Sequence, residues 1–248
     1  MKLYNFRDLG GLPTSCNRKI KSGLLYRTGN VAHWSDDAAK HVVQDCGVKL
    51  YIDFRNADEV KKFGRPEALI RQNVKWLPLS INTSDVIFEK VKLPKANDWL
   101  ELYQRLFENN ISAWAEFAKV VAFTRDPILY GCLFGKDRTG IATSILLNIL
   151  DVHDEHIAAD YAKTTDHVRP LALMFEHLLD HPAHKKDNPT EKSLSEEELF
   201  EHFSRSHSDV MFGFLEYLRT HPENHFLAKQ LKQLTETYQA PLKSRLLD

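Results

Sequence analysis

Apolar residues recur along the chain in two rhythms. Val48-Lys49-Leu50-Tyr51-Ile52 mostly alternates between Gly47 and Asp53, which predicts a strand. Leu24–Arg27, Val74–Leu79 and the short apolar run Pro127–Tyr130 read the same way. Between them the spacing shifts to three and four. Ser35 offers an N-cap oxygen for a helix running to about Cys46, and a short helix is predicted around Ala57–Phe63. Leu102 and Leu106 mark Asp98–Glu108 as helical; Trp114, Phe117 and Val121 mark Ser112–Thr124. Gly131–Arg138 reads as a loop and Thr139–Leu150 as a largely apolar helix. Thr83–Lys95 is ambiguous and is taken as a loop. Strands alternating with helices predict an α/β layer fold around a buried, mostly parallel sheet.

From Val152 onward the pattern predicts helices only. His181–Ser193 carries two prolines, clustered charge and no large apolar group, so it reads as an exposed loop. Ser195 then caps the next helix, with Glu198 as capping-box partner and Leu194 and Leu199 as the staple. Further helices are predicted at Asp209–Thr220 and Pro222–Tyr238. This all-helical part, about residues 166–248, is expected to form one domain with a core at about residues 1–165. Its apolar stripes need a surface to pack on.

Composition narrows the class. The chain has 248 residues, 43% hydrophobic and 27% charged, which argues against a disordered, collagenous or low-complexity protein. The 33 Lys and Arg against 34 Asp and Glu leave a net charge of −1. That balance removes the electrostatic case for nucleic acid or an anionic membrane as partner. Cys16, Cys46 and Cys132 are too few, and odd in number, for a disulfide framework. A reducing, cytoplasmic location is therefore expected, with non-classical secretion left open. The opening MKLYNFRDLGG lacks the apolar stretch of a secretory signal. The longest mostly apolar run, Ile141–Leu150, is far short of the roughly 20 residues that cross a bilayer. Oligomeric state is left open.

The chemistry concentrates in Cys132-Leu133-Phe134-Gly135-Lys136-Asp137-Arg138-Thr139-Gly140, between a predicted strand and a predicted helix. A strand-to-helix loop can turn successive backbone amides inward, and with the helix N-terminus they make an anion site. The same field, with a nearby cation, favours the thiolate of Cys132 as a nucleophile. Arg138 offers a planar fork for two phosphoryl oxygens and charge for the transferring group. Thr139 is placed to donate its hydroxyl to the sulfur. A Cys-x5-Arg frame alone is weak; Gly135, Thr139 and the strand–loop–helix context strengthen it. A nucleotide P-loop fits poorly. Three residues separate Gly131 from Gly135 rather than four, and Asp137 stands where a magnesium-holding hydroxyl belongs.

CLFGKDRTG resembles the CxxGKDRTG signature of the atypical bacterial tyrosine/serine protein phosphatases, cysteine-dependent enzymes with dual- and lipid-phosphate-specific members. Asn5–Gly11 matches that family's NFRDLGG opening, and Leu25–Gly29 is similar to its LYRSG element. Ile52-Asp53-Phe54-Arg55 with Glu59 looks like its IDLRxxxE strand end, and Asp160-Tyr161 also fits. The resemblance covers about residues 5–165 and implies a protein-tyrosine-phosphatase-like sheet flanked by helices. It implies Cys132 as nucleophile, Arg138 as phosphate clamp, and Leu133, Phe134, Gly135, Lys136, Asp137 and Arg138 as the phosphate cradle. Lys136 there would favour multiply phosphorylated or inositol-phosphate substrates, or else stand as a solvated loop cation. Leu133 and Phe134 either line the pocket or turn into the core. Members usually carry His just before the nucleophile, and here Gly131 stands there.

The leaving oxygen needs a proton. Asp137, inside the loop, is the first candidate for the acid. Asp98, 34 residues before Cys132, is the second, with simple N-capping of the following helix as the alternative reading. Asp85 is a weaker third. Asp53 is expected to stay with the scaffold, against Arg7 or Arg27. Among twelve histidines, His153 and His156 flank two acidic residues at a predicted helix start, and His221 and His225 are four apart. Neither pattern carries a full ligand set, so no metal or cofactor is expected. The resulting expectation is a phosphatase acting on phosphotyrosine proteins, with phosphoserine, phosphothreonine or phosphoinositides as further substrates. The alternative is a phosphate-binding pseudophosphatase scaffold; Gly131 argues weakly for it, and the retained Cys132, Arg138 and Thr139 argue against it. A rhodanese-like sulfurtransferase is more distant, because GKDRTG is not its signature.

Overall fold

Parallel pairing around one central strand positions everything else. The computed structural model describes residues 3–83, 96–167, 206–220 and 225–248. Among them lie β1 (Arg7–Asp8), β2 (Leu25–Thr28), β3 (Leu50–Asp53), β4 (Lys75–Pro78) and β5 (Ile128–Gly131), ordered β1-β2-β5-β3-β4. Only β1 runs antiparallel. β2, β3 and β5 are buried along their whole length, which explains their continuous apolar character. β2 and β3 are consecutive strands lying on opposite sides of β5. Chain connections diverge there, and the carboxyl end of such a strand is where open α/β sheets take ligands.

Helices cover both faces. α1 (Asp36–Gln44) begins as expected, with Ser35 Oγ accepting from the Ala38 amide at 3.2 Å. α2 (Ala57–Phe63) starts with a capping box between Asn56 and Glu59. α3 (Glu67–Arg71) follows. Then come α4 (Ala96–Glu108), α5 (Ile111–Phe123), α6 (Asp137–Ile149), α7 (Asp154–Ala162), α8 (Ser208–Thr220) and α9 (His225–Leu246). Alternation along the strands divides the core. Tyr26, Tyr51 and Leu129 pack with Val42, Ala68 and Leu69 from α1 and α3. Ile52, Ile128 and Tyr130 face a larger cluster that takes in Tyr103, Phe117, Ile145, Tyr161, Phe214 and Leu246. The helical part thus shares the main core with the sheet. Its end is also tied down, by Lys21 N–H donating to the Leu246 carbonyl at 2.7 Å and Arg18 to Leu247 at 2.7 Å.

Three features differ from the sequence expectation. β1 and α3 are two and five residues long, too short to leave a periodic signal. α6 starts at Asp137, two residues before Thr139. The last helix runs past Tyr238 to Leu246, because Leu242 and Leu246 are buried in the main core. The expectations at His181–Ser193 and Ser195, and Asp85, lie outside the described residues.

Candidate active site

β5 delivers Cys132, 2% exposed, to the carboxyl edge of the sheet. The loop that follows has its carbonyls pulled outward. The Leu133 carbonyl accepts from the Asn30 amide at 2.9 Å. The Phe134 and Gly135 carbonyls accept from Asn5 Nδ2 at 3.0 and 2.9 Å, and Arg27 donates a further bond to Gly135 at 2.7 Å. In a trans peptide the next amide points opposite its carbonyl. The amides of Phe134, Gly135 and Lys136 therefore turn into the loop. Among the described residues, the backbone amides of Leu133, Phe134, Gly135, Asp137 and Arg138 donate to no backbone carbonyl. With the N-terminus of α6 they form an anion nest. Gly135 has φ +67°, and a Cβ there would lie 2.5 Å from the Thr28 carbonyl oxygen.

An outer layer holds the cradle. Arg27 and Arg7 both bind Asp160, at 2.6 and 2.7 Å. Burial pushes the Asp160 carboxyl up, but the two guanidiniums override it and hold it below the usual range. Asp53 does not take either arginine, contrary to expectation. Its partner is Arg55 at 2.7 Å, both side chains fully buried, with the Trp76 indole donating at 3.2 Å. Register explains the difference. Arg27 lies opposite Tyr130 and Asp53 opposite Gly131, so they stand on opposite faces of the sheet.

Arg138 sits in the first turn of α6 and is 8% exposed. Its two terminal nitrogens bond the two oxygens of Glu59, each at 2.6 Å, and Nη1 also reaches the Phe54 carbonyl at 3.3 Å. Those bonds use three of the fork's five protons. The two left, on Nε and Nη2, share the side edge of the guanidinium, the geometry that grips two oxygens of one phosphoryl group. Burial pushes Arg138 down, yet Glu59 and the Cys132 sulfur more than reverse it, so the charge is secure. For Glu59, burial pushes upward and Arg138 wins, holding the carboxyl below its usual value.

Lys136 is not a solvated cation. It is 3% exposed, its Nζ stands 3.9 Å over the Trp99 ring and 3.9 Å from Asp137 Oδ1. Burial pushes this ammonium down, with Asp137 opposing. Asp137 remains partly exposed and accepts from the Tyr103 hydroxyl at 2.8 Å. Thr139 Oγ1 is buried with no hydrogen-bond partner among the described residues, the sulfur included. Leu133 is buried and Phe134 half-buried. Asp98 lies half-buried in the first turn of α4, where a carboxylate suits the helix dipole. His153 precedes α7, and its neighbour Asp154 pairs with Arg219; His221 lies outside the described residues.

The loop residues from Cys132 to Thr139 thus come together, with Asp98 one position from the Trp99 ring. Asn5, Arg27 and Glu59 lie within the quoted motifs, although no sequence signal assigned them these bonds. Trp99 and Tyr103 sit on α4 with only helical spacing to mark them. Gly131 also finds a reason: a Cβ there would lie 2.6 Å from the Thr28 carbonyl oxygen and 3.2 Å from that of Gly29.

The profile of the tyrosine phosphatase family matches residues 1–248. The chain belongs to that family. It is 31% identical over 170 residues to a protein of Cupriavidus necator named as a tyrosine-protein phosphatase, covering 65% of this chain. The chain spans 60% of that relative's length. It is 23% identical over 203 residues to the triple specificity protein phosphatase PtpB of Mycobacterium tuberculosis, covering 71% of this chain and 72% of that one. Among solved structures, the core catalytic domain of the PP-IP phosphatase SIW14 from S. cerevisiae matches with TM-score 0.42 and 14% identity, over 75% of this chain and 89% of that one. No described helix of this family member is long and apolar enough to cross a membrane.

Proposed function

We propose that this tyrosine phosphatase family member hydrolyses phosphate monoesters through a cysteinyl-phosphate, with phosphotyrosine in proteins as its leading substrate. The observation that carries the reading is the nest: three outward-tied carbonyls, the inward amides, and an arginine whose side edge is left open beside a buried cysteine. Cys132 attacks phosphorus. The loop amides of Leu133–Arg138 and the Arg138 fork hold the non-bridging oxygens as charge develops. Asp137 protonates the leaving oxygen, then takes a proton from the water that hydrolyses the intermediate. Thr139 donates its orphaned hydroxyl to the departing sulfur. Asp98 is the alternative acid.

The core shared between sheet and helical tail supports one catalytic domain over the whole chain. Lys136, in the cradle, supports extension to multiply phosphorylated substrates, phosphoinositides included. The triple specificity in the name of the mycobacterial relative supports testing phosphothreonine as well. Three free thiols fit a reducing, cytoplasmic setting.

The test is phosphate release in the presence of EDTA, wild type beside Cys132→Ser, on phosphotyrosine and phosphothreonine peptides and a phosphoinositide panel. Turnover that survives EDTA and disappears in the serine variant is expected. No turnover on any substrate, with phosphopeptide binding retained, would replace the enzyme by a pseudophosphatase scaffold.

A further inference from the structure

Two residues of α4, Trp99 and Tyr103, stand one turn apart and so share a helix face. They meet two successive residues where the loop enters α6: the Trp99 ring lies under the Lys136 ammonium, and the Tyr103 hydroxyl donates to Asp137. Tyr103 is fully buried. Burial and the Asp137 charge push its phenol well above its usual value, so it stays a neutral donor. A phenol has one proton. Because that proton goes to Asp137, the close contact between the Tyr103 and Tyr161 hydroxyls must be donated by Tyr161, from α7. The two rings are perpendicular, 6.1 Å apart. Tyr161 is itself fixed against Gly140 of α6, where an added Cβ would lie 3.0 Å from its ring. From α8, Phe214 stands edge-on to Tyr103 at 6.1 Å. The donor chain therefore rests on three helices.

Both contacts on the Asp137 carboxyl group fall on one oxygen. Oδ1 receives the Tyr103 proton and lies 3.9 Å from Lys136 Nζ. Oδ2 has no hydrogen-bond or ion-pair partner among the described residues. We infer that Tyr103 is a positioning residue which, backed by Tyr161, anchors Asp137 Oδ1 and leaves Oδ2 to carry the transferred proton. The inference rests on the reading of Asp137 as the acid. A carboxylic acid already accepting on one oxygen holds its own proton on the other. The anchor fixes that O–H toward the leaving group in the first step, and the same oxygen takes the water's proton in the second. Chained hydrogen bonds in a buried setting reinforce each other.

The experiment compares wild type, Tyr103→Phe, Tyr161→Phe, Asp137→Asn and the Asp137→Asn/Tyr103→Phe double variant. Each is assayed on phenyl phosphate, a poor leaving group, and 2,4-dinitrophenyl phosphate, a good one that needs no acid. Asp137→Asn should lose about 10²- to 10⁴-fold in kcat on phenyl phosphate, the usual contribution of a general acid. Tyr103→Phe, which keeps the ring, should lose about tenfold there and stay within about twofold on the dinitrophenyl ester, with KM steady, since only alignment is disturbed. Tyr161→Phe should show the same selectivity with a smaller loss. The double variant should be no slower than Asp137→Asn alone. Equal losses on both esters in Tyr103→Phe, or additive losses in the double variant, would overturn the positioning role while leaving the acid reading intact. An Asp137→Asn variant indifferent to the leaving group would overturn the acid reading and this inference with it.

Discussion

Gly131 stands where the family that the sequence resembles usually carries His, and the structure makes a refutable statement about it. A Cβ at this position would lie 2.6 Å from the Thr28 carbonyl oxygen and 2.9 Å from Thr28 Cγ2. Thr28 and Gly131 are register partners in the parallel β2–β5 pair, and the next amide, Gly29, is bonded to the Tyr4 carbonyl at 3.1 Å. The obstacle is paired backbone, which cannot rotate away as a side chain can. Gly131→Ala must push the strand end back by about half an ångström, and overpacking of that kind costs about 2–3 kcal/mol. In a chain of this size that lowers Tm by about 4–12 °C. Activity should fall too, because the Thr28 carbonyl also lies 2.5 Å from the site a Gly135 Cβ would occupy, so the shift reaches the cradle. Gly131→His should be worse on both counts. Calorimetry and kcat/KM on a phosphotyrosine peptide check this. A Gly131→Ala protein with unchanged Tm and unchanged kcat/KM, or a Gly131→His protein more active than wild type, would refute the steric argument.

Glu59→Gln should lower stability by about 2 kcal/mol at neutral pH, the worth of a charge-assisted bond, and weaken substrate binding as Arg138 loses its anchor. Because the Glu59 carboxyl is depressed in the fold, its contribution is present above the ordinary Glu value and is lost as pH falls through the depressed one. Urea midpoints between neutral pH and pH 3 should therefore converge for wild type and variant at the acid end; a constant gap would count against the pairing. Asp160→Asn leaves Arg7 and Arg27 without their shared carboxylate. Removing one partner of a buried pair costs about 3–5 kcal/mol, readable by urea unfolding, and kcat should drop with it as Gly135 loses its Arg27 anchor. If stability falls with kcat untouched, the network does not set the cradle.

What could be read from the sequence was whatever repeats or stays local. The central strand, the loop and the helix behind it follow from an apolar run, a glycine and a Cys-to-Arg spacing, and β5 and α6 lie there. The Ser35 cap is a local rule and is observed. Asp53 shows the boundary. Its type and motif were legible, but its partner depends on which sheet face it occupies, and that follows from strand register rather than from neighbours in the chain. Tyr103 shows it again. On α4 its position is one more buried aromatic; only the packing of α4 on α8 and across to α6 makes its hydroxyl a donor to Asp137.

The pair Asp160-Tyr161 joins these distant parts. Adjacent on α7, the carboxylate reaches Arg7 and Arg27, of which Arg27 secures the Gly135 carbonyl, and the phenol reaches Tyr103, which secures Asp137. One turn of helix therefore supports the phosphate cradle and the candidate acid at the same time. Loss of the carboxylate should disturb every substrate equally, since on the proposed reading all bind in the cradle. Loss of the phenol hydroxyl should disturb only those that need a proton to leave. Two neighbouring substitutions, Asp160→Asn and Tyr161→Phe, thus separate phosphate binding from proton transfer by their dependence on the leaving group alone.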